Sequence, residues 1–315
     1  MTGHRGAILG LHLGVIGALA ALYFVLPAYH VSNLARVMVL SVFAMGYNIA
    51  FGYTGLLSLG HALFFASGLY ATGSLVQLAG WPAGPGLLAG IAGGALVALA
   101  VGLLALRTTG VAFMIVTLMF AQAGYLLILY FGPLTRGDEG YVIDRAARAV
   151  AGLDLSDDRT RYFAALALFA LALAACLALV RSPTGRVLVA MRENAERSRM
   201  LGYDPFRYRL IGLVASGLLA GAAGAAYGLM FGYVGATFAS IQYSILPLLW
   251  VLLGGAGTVL GPFLGTLVMF YLVDLSSSVT TAYLMVVGLA LLALVLFARK
   301  GLLGSLRERA LPWLP

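Results

Sequence analysis

The sequence predicts an all-α integral membrane protein, on two observations of composition and one of charge. Of 315 residues, 62% are apolar, the mean hydropathy is +1.00, and only 10% are Asp, Glu, Lys or Arg. Soluble domains carry about 25% charged residues, so a soluble globular enzyme of this length is excluded. The net charge of +8 lies in short segments between apolar runs, and 18 of the 19 basic residues are Arg. That pattern indicates loops anchored at a membrane surface and argues against nucleic acid as a partner.

About ten segments are long and apolar enough to be membrane spans, which need about 20 residues as a helix. We expect one transmembrane domain over residues 1–315, with spans at 7–26, 33–51, 55–78, 86–106, 110–131, 162–180, 210–231, 241–254, 257–273 and 281–298. The first segment is an anchor and not a signal peptide, because its apolar run is long and further spans follow it. Cys176 is the single cysteine, which excludes an intrachain disulfide and a cysteine-based metal cluster; no metal site is predicted.

The distribution of arginine predicts which loops face the cytoplasm. Segment 181–209 holds seven Arg against three acidic residues, so it is placed inside together with the basic C-terminal tail. The 132–161 loop balances five Arg against six acidic residues and lies one span away, so it is the external loop. Counting spans backward places the N-terminus and Arg107 inside as well. Arg36 falls near the outer side and departs from this rule.

Five spans precede the external loop and five follow it, so the two halves run in opposite directions through the membrane. This is the parity of an inverted-repeat transporter, in which the substrate path lies near the midplane between the halves. We therefore predict two antiparallel five-helix halves, from counting alone. Among the 41 glycines, spacings of four at 90–94, 217–221 and 261–265 favour close helix packing.

The segment from Ser182 to Gly202 is the most informative polar stretch. Ser182 and Pro183 are suited to begin a helix, Val187 and Met191 recur at helical spacing opposite charged residues, and Gly202 is suited to end it. Two interpretations stay open on this pattern alone. One is a solvated loop that follows the positive-inside rule, and the other is a short amphipathic helix that docks a partner.

The chain has no phosphate-binding loop. A P-loop needs Gly-x-x-x-x-Gly-Lys-Ser/Thr, and the only lysine, Lys300, follows Arg299 and precedes Gly301. No ATPase and no other cofactor site is encoded. If ATP drives transport, it is hydrolysed by partner subunits. A cytoplasmic helix of this chain would then be the contact that transmits their movement to the permease.

A glycine-interrupted stretch at 48–70 is the second informative segment. Its glycines would weaken a helix at membrane depth, which is tolerated where the backbone faces protein or a cavity. Ser58 and His61 lie there, and an intramembrane histidine is a functional candidate. A histidine that packs by hydrogen bonding to a neighbouring helix is the alternative. Ser58 does not form a Gly-x-Ser-x-Gly nucleophile motif, because Leu56 stands two residues before it.

Four blocks of sequence together resemble the LivM-type permease subunit of ABC importers for branched-chain amino acids. They are GYTGLLSLGHALFFASGLY (52–70), FMIVTLMFAQ (113–122), SPTGRVLVAMRENAERSRMLG (182–202) and LLGGAGTVLGPFLGT (252–266). The likeness extends over roughly residues 45–300. It implies a permease in a bacterial-type inner membrane, with the membrane lipid around it. Its implied partners are a homologous second permease subunit, two ABC ATPase subunits and an external solute-binding protein.

The resemblance also assigns roles to residues. The family's outer Gly-Gly-x-Asp-Gly segment looks like residues 136–140, and Glu196 and Gly202 keep the spacing of the Glu-Ala-Ala-x-x-x-Gly docking loop of ABC importers, although Arg197 and Ser198 replace its alanines. We expect ATPase coupling at Gly185, Arg186, Ala190, Arg192, Glu193, Glu196 and Gly202. We expect the translocation path at Asn48, Ser58, Gly60, His61, Phe65, Thr117 and Gln122, and the external-loop site at Asp138, Glu139 and Gly140.

Two departures from the family leave the solute open. Many relatives have Gln where Leu56 stands and an acidic residue where Leu246 stands. Related permeases carry urea or short amides, so the predicted solute is a branched-chain amino acid or another small polar molecule. The alternative class is a self-sufficient secondary transporter or channel, which would need intramembrane carboxylates or paired charges that the spans almost lack. An intramembrane enzyme is a third class, for which no catalytic constellation is present.

Overall fold

The computed structural model describes residues 5–282, 285–289, 292, 296 and 300–309. Its architecture is a bundle of α-helices, as predicted for an all-α membrane protein. The described α-helices are α1 (Arg5–Leu22), α2 (Ala28–Asn48), α3 (His61–Gln77), α4 (Ala83–Ala105), α5 (Val111–Tyr130), α6 (Gly132–Thr135), α7 (Asp158–Arg181), α8 (Pro183–Glu193), α9 (Ala195–Met200), α10 (Pro205–Phe231), α11 (Ile241–Gly254), α12 (Gly261–Val279) and α13 (Gly301–Arg309). A π-helical turn, Ile49–Tyr53, extends α2.

Six of these helices are long and apolar enough to cross a membrane. They are α2 with its π-helical turn, α4, α5, α7, α10 and α12. The apolar helices α1 and α11 are shorter, and α3 has 17 residues. Nine of the ten predicted segments therefore contain a helix, while half of the tenth, 281–298, lies outside the described residues. The count of ten spans stays a prediction.

One predicted span was drawn too long. The segment at 55–78 was predicted as one span whose first glycines would weaken the helix; residues 55–60 form a non-helical turn, and α3 begins only at His61. Gly55 adopts φ +76°, a left-handed backbone conformation that glycine tolerates and other residues rarely adopt. The chain therefore ends the α2 helix, turns, and starts a new helix within the bundle.

The core is organised around two helices, α2 and α10. From Asn33 to Asn48, every residue of α2 is buried except Arg36, because α2 packs against α7, α10, α11 and α12. Helix α10 packs closely on α3 and α4. A side chain at Gly94 of α4 would come within 2.5 Å of the Cα of Gly221 in α10, so the predicted glycine spacings do allow the two backbones to touch.

Short strands join the 132–157 loop to the connection after α10. Strand β1 (Tyr141–Val142) pairs antiparallel with β4 (Tyr233–Val234), while β2 (Ala149–Val150) pairs with β3 (Leu153–Asp154). The loop is therefore held on the bundle by main-chain hydrogen bonds. We call this end of the molecule the β1–β4 face.

The opposite end is formed by α8, α9 and the turn at 255–260, and we call it the α8 face. Helix α7 runs between the two ends: Asp157 begins it at the β1–β4 face by accepting hydrogen bonds from the backbone N–H and the hydroxyl of Thr160. These bonds lower the pKa of the Asp157 carboxyl. The two polar loops singled out by charge, 132–161 and 181–209, thus lie at opposite ends of the bundle.

Candidate functional site

The α8–α9 segment begins and ends where the sequence predicts, but it is not one helix. Ser182 accepts a hydrogen bond from the backbone N–H of Gly185 at 3.0 Å, Pro183 occupies the first turn, and Gly202 takes φ +89°. The prediction of a single helix was wrong, because Asn194 leaves the helical conformation and caps a second helix by accepting from the N–H of Arg197 at 2.9 Å. An Asn three residues before Arg197 is the local signal that marks this break.

The apolar face of α8 turns inward. If α8 docks a partner as an amphipathic helix, Val187 and Met191 are expected to face that partner, but they are 9% and 2% exposed and pack within this chain. That expectation was wrong, because the apolar face of α8 is already buried against the other helices of this chain. The exposed apolar residues of the segment are instead Met200 (85%) and Leu201 (72%), which the helical spacing did not single out.

The other predicted coupling residues divide into two groups. Gly185 is buried, and a side chain there would overlap the backbone of Leu179 and Val180 in the tight turn from α7 to α8. Its role in the fold is to let these two helices meet. The other six predicted coupling residues are exposed: Arg186, Ala190, Arg192, Glu193, Glu196 and Gly202. They form a charged surface on the α8 face.

Arg192 connects this surface to the bundle. Its guanidinium donates to the backbone carbonyl of Gly52, in the π-helical turn, and pairs with Glu193 at 2.7 Å. Arg307 of α13 donates to the backbone carbonyl of Gly257 at 3.4 Å. A displacement of α8 would therefore be transmitted to the end of α2 through the hydrogen bond between Arg192 and Gly52.

Asn48 joins the end of α2 to the α11–α12 turn. Its side-chain nitrogen donates to the carbonyl of Thr258 at 2.8 Å, and its side-chain oxygen accepts the N–H of Gly257 at 2.9 Å. Gly52 lies one turn further on, and a side chain there would overlap Asn48. The sequence suggested a place in the path for Asn48; the structure places it in a fully hydrogen-bonded clamp between two distant segments.

The non-helical turn before α3 is satisfied by protein groups, as a broken helix at membrane depth requires. The hydroxyl of Thr117 in α5 accepts the N–H of Leu59 at 3.2 Å, and the hydroxyl of Ser58 accepts the N–H of Gly60 at 3.2 Å. Gly60 lies directly on the carbonyl of Thr117, where a side chain would come within 2.5 Å. Three of the predicted path residues are therefore adjacent, and Thr117 supports the turn from a neighbouring helix.

His61 is fully buried at the first residue of α3. Its Nε2 lies 2.5 Å from the hydroxyl of Ser216 in α10, and its ring packs edge-on against Tyr47 at 4.6 Å between centroids. The next residue, Ala62, donates its N–H to the hydroxyl of Ser244 in α11 at 3.0 Å. The beginnings of α3 and α11 therefore meet inside the bundle, next to α10.

Phe65, one turn along α3, lies in an aromatic cluster that the sequence pattern did not reveal. Its ring centroid is 4.9 Å from Phe43, 5.3 Å from Tyr243, 5.9 Å from Phe238 and 5.9 Å from Tyr227. These rings come from α2, α3, α10, α11 and the connection before α11. We call them the aromatic cluster.

The remaining predicted residues lie apart from this centre. Gln122 is half-buried on α5, about one and a half turns beyond Thr117. Asp138 and Glu139 are exposed on the β1–β4 face, and Tyr233 donates to the backbone carbonyl of Glu139 at 3.1 Å. Gly140 takes φ +67°, where its backbone packs on Val234. In the part of the chain that the structure describes, no group of three His, Cys, Asp or Glu side chains is placed to hold a metal ion.

Membrane-spanning helices, a polar helical segment at one end and a broken helix inside the bundle define a multi-pass membrane transport protein. The particular family follows from comparison with known sequences. The family described as "Branched-chain amino acid transport system / permease component" matches residues 29–296, and the chain belongs to this family. The resemblance expected from the four blocks is thereby confirmed.

Three relatives illustrate the similarity. The chain is 28% identical over 300 residues to the "High-affinity branched-chain amino acid transport system permease protein LivM" of Escherichia coli (strain K12), covering 86% of this chain and 69% of the relative. Identity to the protein of that name in Salmonella typhimurium is 27% with the same coverage. A "Probable branched-chain amino acid transport permease protein LivM" of Methanocaldococcus jannaschii is 34% identical over 90 residues, covering 28% of this chain and 26% of the relative. No solved structure matches the chain.

Proposed function

We propose that this chain is the permease subunit of an ABC importer and moves branched-chain amino acids across the inner membrane. The family assignment over residues 29–296 carries the proposal, and the exposed α8–α9 segment supports it as the contact for a separate ATPase. The assembly contains a homologous second permease subunit, two ATPase subunits and an external solute-binding protein. ATP is hydrolysed on the ATPase subunits, and this chain contributes no cofactor site.

The α8 face is cytoplasmic in this proposal. Its segment 181–209 carries the excess of arginine that the positive-inside rule places in the cytoplasm, while the 132–161 loop on the β1–β4 face is balanced in charge. Both termini then lie in the cytoplasm. In that orientation the external solute-binding protein meets the face that carries Asp138, Glu139 and Gly140.

The packing of the helices supports an inverted repeat. Helix α10 lies on the α3–α4 pair of the first half, and α2 lies on the α11–α12 pair of the second half. Exchanging α2 with α10, α3 with α11 and α4 with α12 preserves this arrangement. Each of α2 and α10 is also followed by a connection that is not α-helical, at 54–60 and 232–240, before the next α-helix begins.

The contact with the ATPase is made by the exposed part of α8–α9. Glu196 and the surrounding arginines supply charged contacts, and Met200 and Leu201 supply an apolar tip for a cleft in the partner. Arg192 then transmits movement of α8 to the end of α2 through the Gly52 carbonyl. The order of contacts is therefore partner, α8–α9, π-helical turn and bundle core.

The translocation path runs past the beginnings of α3 and α11. Ser58, Gly60 and His61 lie at this junction, and the aromatic cluster around Phe65 is chemically suited to an apolar side chain. Phe43 and Phe65 are fully buried, so in this proposal their rings block the path at this level. Alternating access then requires these rings to separate.

The proposal is tested with the complete importer. The tagged permease should copurify with two ATPase subunits and a second permease. Proteoliposomes containing this assembly and its binding protein should take up leucine, isoleucine or valine only with ATP. Uptake by the permease alone, driven by an ion gradient, would instead establish a secondary transporter. Uptake of urea or short amides in preference to these amino acids would overturn the substrate assignment.

A further inference from the structure

Arg36 is the exception within the most buried helix of the protein. Every other residue of α2 from Asn33 to Asn48 is buried, including Val39 and Leu40 on the same helical face. Arg36 is exposed and lies eight residues, about 12 Å, from the start of α2. Tyr29 and Ser32, on the same face toward the start of the helix, are exposed and partly exposed. Arg36 therefore lies at the inner end of an exposed strip on α2, where this strip meets the buried core.

Three arginines converge at the end of α10. The guanidinium carbon of Arg36 lies 5.1 Å from the ring centroid of Phe231, and that of Arg161 lies 5.6 Å from the same ring. Arg148 packs on the next residue, Gly232, where a Cβ would be 2.5 Å from its Nη1. They come from α2, from the first turn of α7 and from the loop before β2. We call Arg36, Arg148 and Arg161 the arginine cluster.

The positive charge of this cluster is only partly neutralised. Arg161 pairs with Asp158, but among the described residues no carboxylate lies within 4.0 Å of Arg36 or Arg148. Arg148 is only 8% exposed, and its Nε has no hydrogen-bond partner in the described chain. A buried guanidinium nitrogen that lacks a hydrogen-bond partner is costly, so this arrangement favours an anion that accepts from it.

Two carboxylates act on Arg148 from beyond ion-pair distance, those of Asp144 and Asp154. Asp144 accepts a hydrogen bond from Gln77 at 3.0 Å, and Asp154 accepts the N–H of Ser156 at 2.8 Å. The end of α10 adds about half a negative charge from its helix dipole. Among the described residues, none of these groups forms a direct ion pair with Arg36 or Arg148.

The cluster adjoins a row of aromatic rings that leads to the centre of the bundle. The ring of Phe231 lies 4.7 Å from Tyr227, and Tyr227 lies 5.9 Å from Phe65. A molecule with one anionic end and one apolar end would find matching chemistry in this order. Its anionic end would meet the arginines, and its apolar end would meet the aromatic rings.

We propose that the arginine cluster binds the carboxylate of the entering amino acid, with the apolar side chain directed along Phe231 and Tyr227. This proposal rests on the proposed function, which supplies the solute. Arg36 lies two turns inside α2, too deep for a broad protein surface, whereas Arg145 and Arg159 are exposed in the surrounding loop and first turn. A small carboxylate is therefore favoured over an acidic surface of the binding protein.

The test compares arginines of equal charge at different places. In proteoliposomes with the complete importer and leucine-loaded binding protein, Arg36→Gln and Arg148→Gln should each lower leucine uptake about tenfold or more, because a charge-assisted hydrogen bond is lost. Arg36→Lys should retain more uptake than Arg36→Gln. The matched variants Arg145→Gln and Arg159→Gln should stay within about twofold of wild type, as expected for exposed charges.

ATPase stimulation by loaded binding protein distinguishes the two candidate anions, the carboxylate of the solute and an acidic surface of the binding protein. It should stay within about twofold of wild type in Arg36→Gln, since docking does not involve the cluster. Loss of stimulation together with uptake would show that the arginines contact the binding protein, and would overturn the proposal. Equal effects at all four positions, or none at Arg36 and Arg148, would overturn it as well.

A second measurement does not depend on the identity of the solute. In a Cys176→Ala background, Arg36→Cys should react about tenfold faster with an anionic methanethiosulfonate than with a cationic one. Adding Arg161→Gln should reduce this ratio, because it removes a second positive charge from the cluster. This measurement does not need the Arg148→Gln variant to fold. A ratio near one would refute the anion site, whereas a ratio near ten in an importer that takes up no amino acid would refute only the proposed function.

Discussion

Asn48 and Gly257, 209 residues apart, are joined by a hydrogen bond of 2.9 Å from the glycine N–H to the asparagine side-chain oxygen. The same amide donates to the carbonyl of Thr258 at 2.8 Å. Asn48 therefore satisfies a donor and an acceptor of the α11–α12 turn from the end of α2. The turn lies on the α8 face, beside the contacts of Arg192 and Arg307.

Replacing Asn48 with Leu should destabilise the folded protein by about 2–4 kcal/mol, because two buried backbone groups lose their partner. Unfolding in detergent micelles, followed by circular dichroism, measures the change. Asn33→Leu is the matched control, since Asn33 is also buried in α2 and its Nδ2 has no partner in the described chain. A loss at Asn48 no larger than at Asn33 would show that the clamp contributes little.

Adjacent glycines of α4 should differ sharply in their tolerance of a methyl group. Gly94→Ala is expected to cost about 1–3 kcal/mol through overpacking, because its Cβ would lie 2.5 Å from the Cα of Gly221 and 2.6 Å from the carbonyl oxygen of Gly217. Gly93→Ala should be neutral or stabilising, since its nearest neighbour is Ala71 at 3.4 Å. Thermal unfolding of both variants decides the matter, and equal melting temperatures would contradict the close approach of α4 and α10.

The proposed orientation predicts labelling from opposite sides of the membrane. In a Cys176→Ala background, cysteines introduced at Arg159 and at Glu196 are both exposed, on the β1–β4 face and the α8 face respectively. An impermeant thiol reagent should label the cysteine at 159 in right-side-out vesicles and the one at 196 in inverted vesicles. Labelling of both from one side would contradict the topology.

Charge reversal at Glu196 should uncouple transport from ATP hydrolysis. Glu196→Arg removes an exposed carboxylate from a surface already rich in arginine, so uptake should fall about tenfold or more while Glu196→Gln has a smaller effect. Uptake and ATPase activity are measured together in proteoliposomes. Asp154→Arg, the same reversal on the β1–β4 face, should leave the basal ATPase activity unchanged. Wild-type coupling in Glu196→Arg would remove this residue from the docking surface.

Leu56→Gln should change the uptake rate by less than about tenfold, equivalent to 1.4 kcal/mol. Leu56 is 7% exposed, so the substitution adds one buried amide able to form a hydrogen bond worth about 1 kcal/mol. Exchange of the binding protein should instead change which solute enters. Uptake of branched-chain amino acids, urea and short amides is compared for both changes. A switch of solute caused by Leu56→Gln alone would show that the permease selects.

Short-range patterns were enough to predict an all-α membrane protein and the limits of the α8–α9 segment, while the count of ten spans stays a prediction. Hydropathy depends on consecutive residues, and Ser182, Pro183 and Gly202 act on the backbone within a few positions of themselves. The sequence was less informative at Asn194, where a side chain capping the next helix outweighed the helical pattern continuing across it. The family resemblance, carried by four blocks taken together, was confirmed, while the roles of the individual site residues stay predictions.

By itself, the sequence determined a multi-pass membrane permease with polar segments at 132–161 and 181–209, because apolar runs must lie in lipid and charged loops must lie in water. Only the tertiary structure decided which polar residues are satisfied and which are not. Asn48 and His61 find partners on segments more than 150 residues away. Arg36 departs from the positive-inside rule, and its guanidinium packs over the ring of Phe231 on another helix. Such contacts depend on how helices pack, and no local pattern in the chain encodes them.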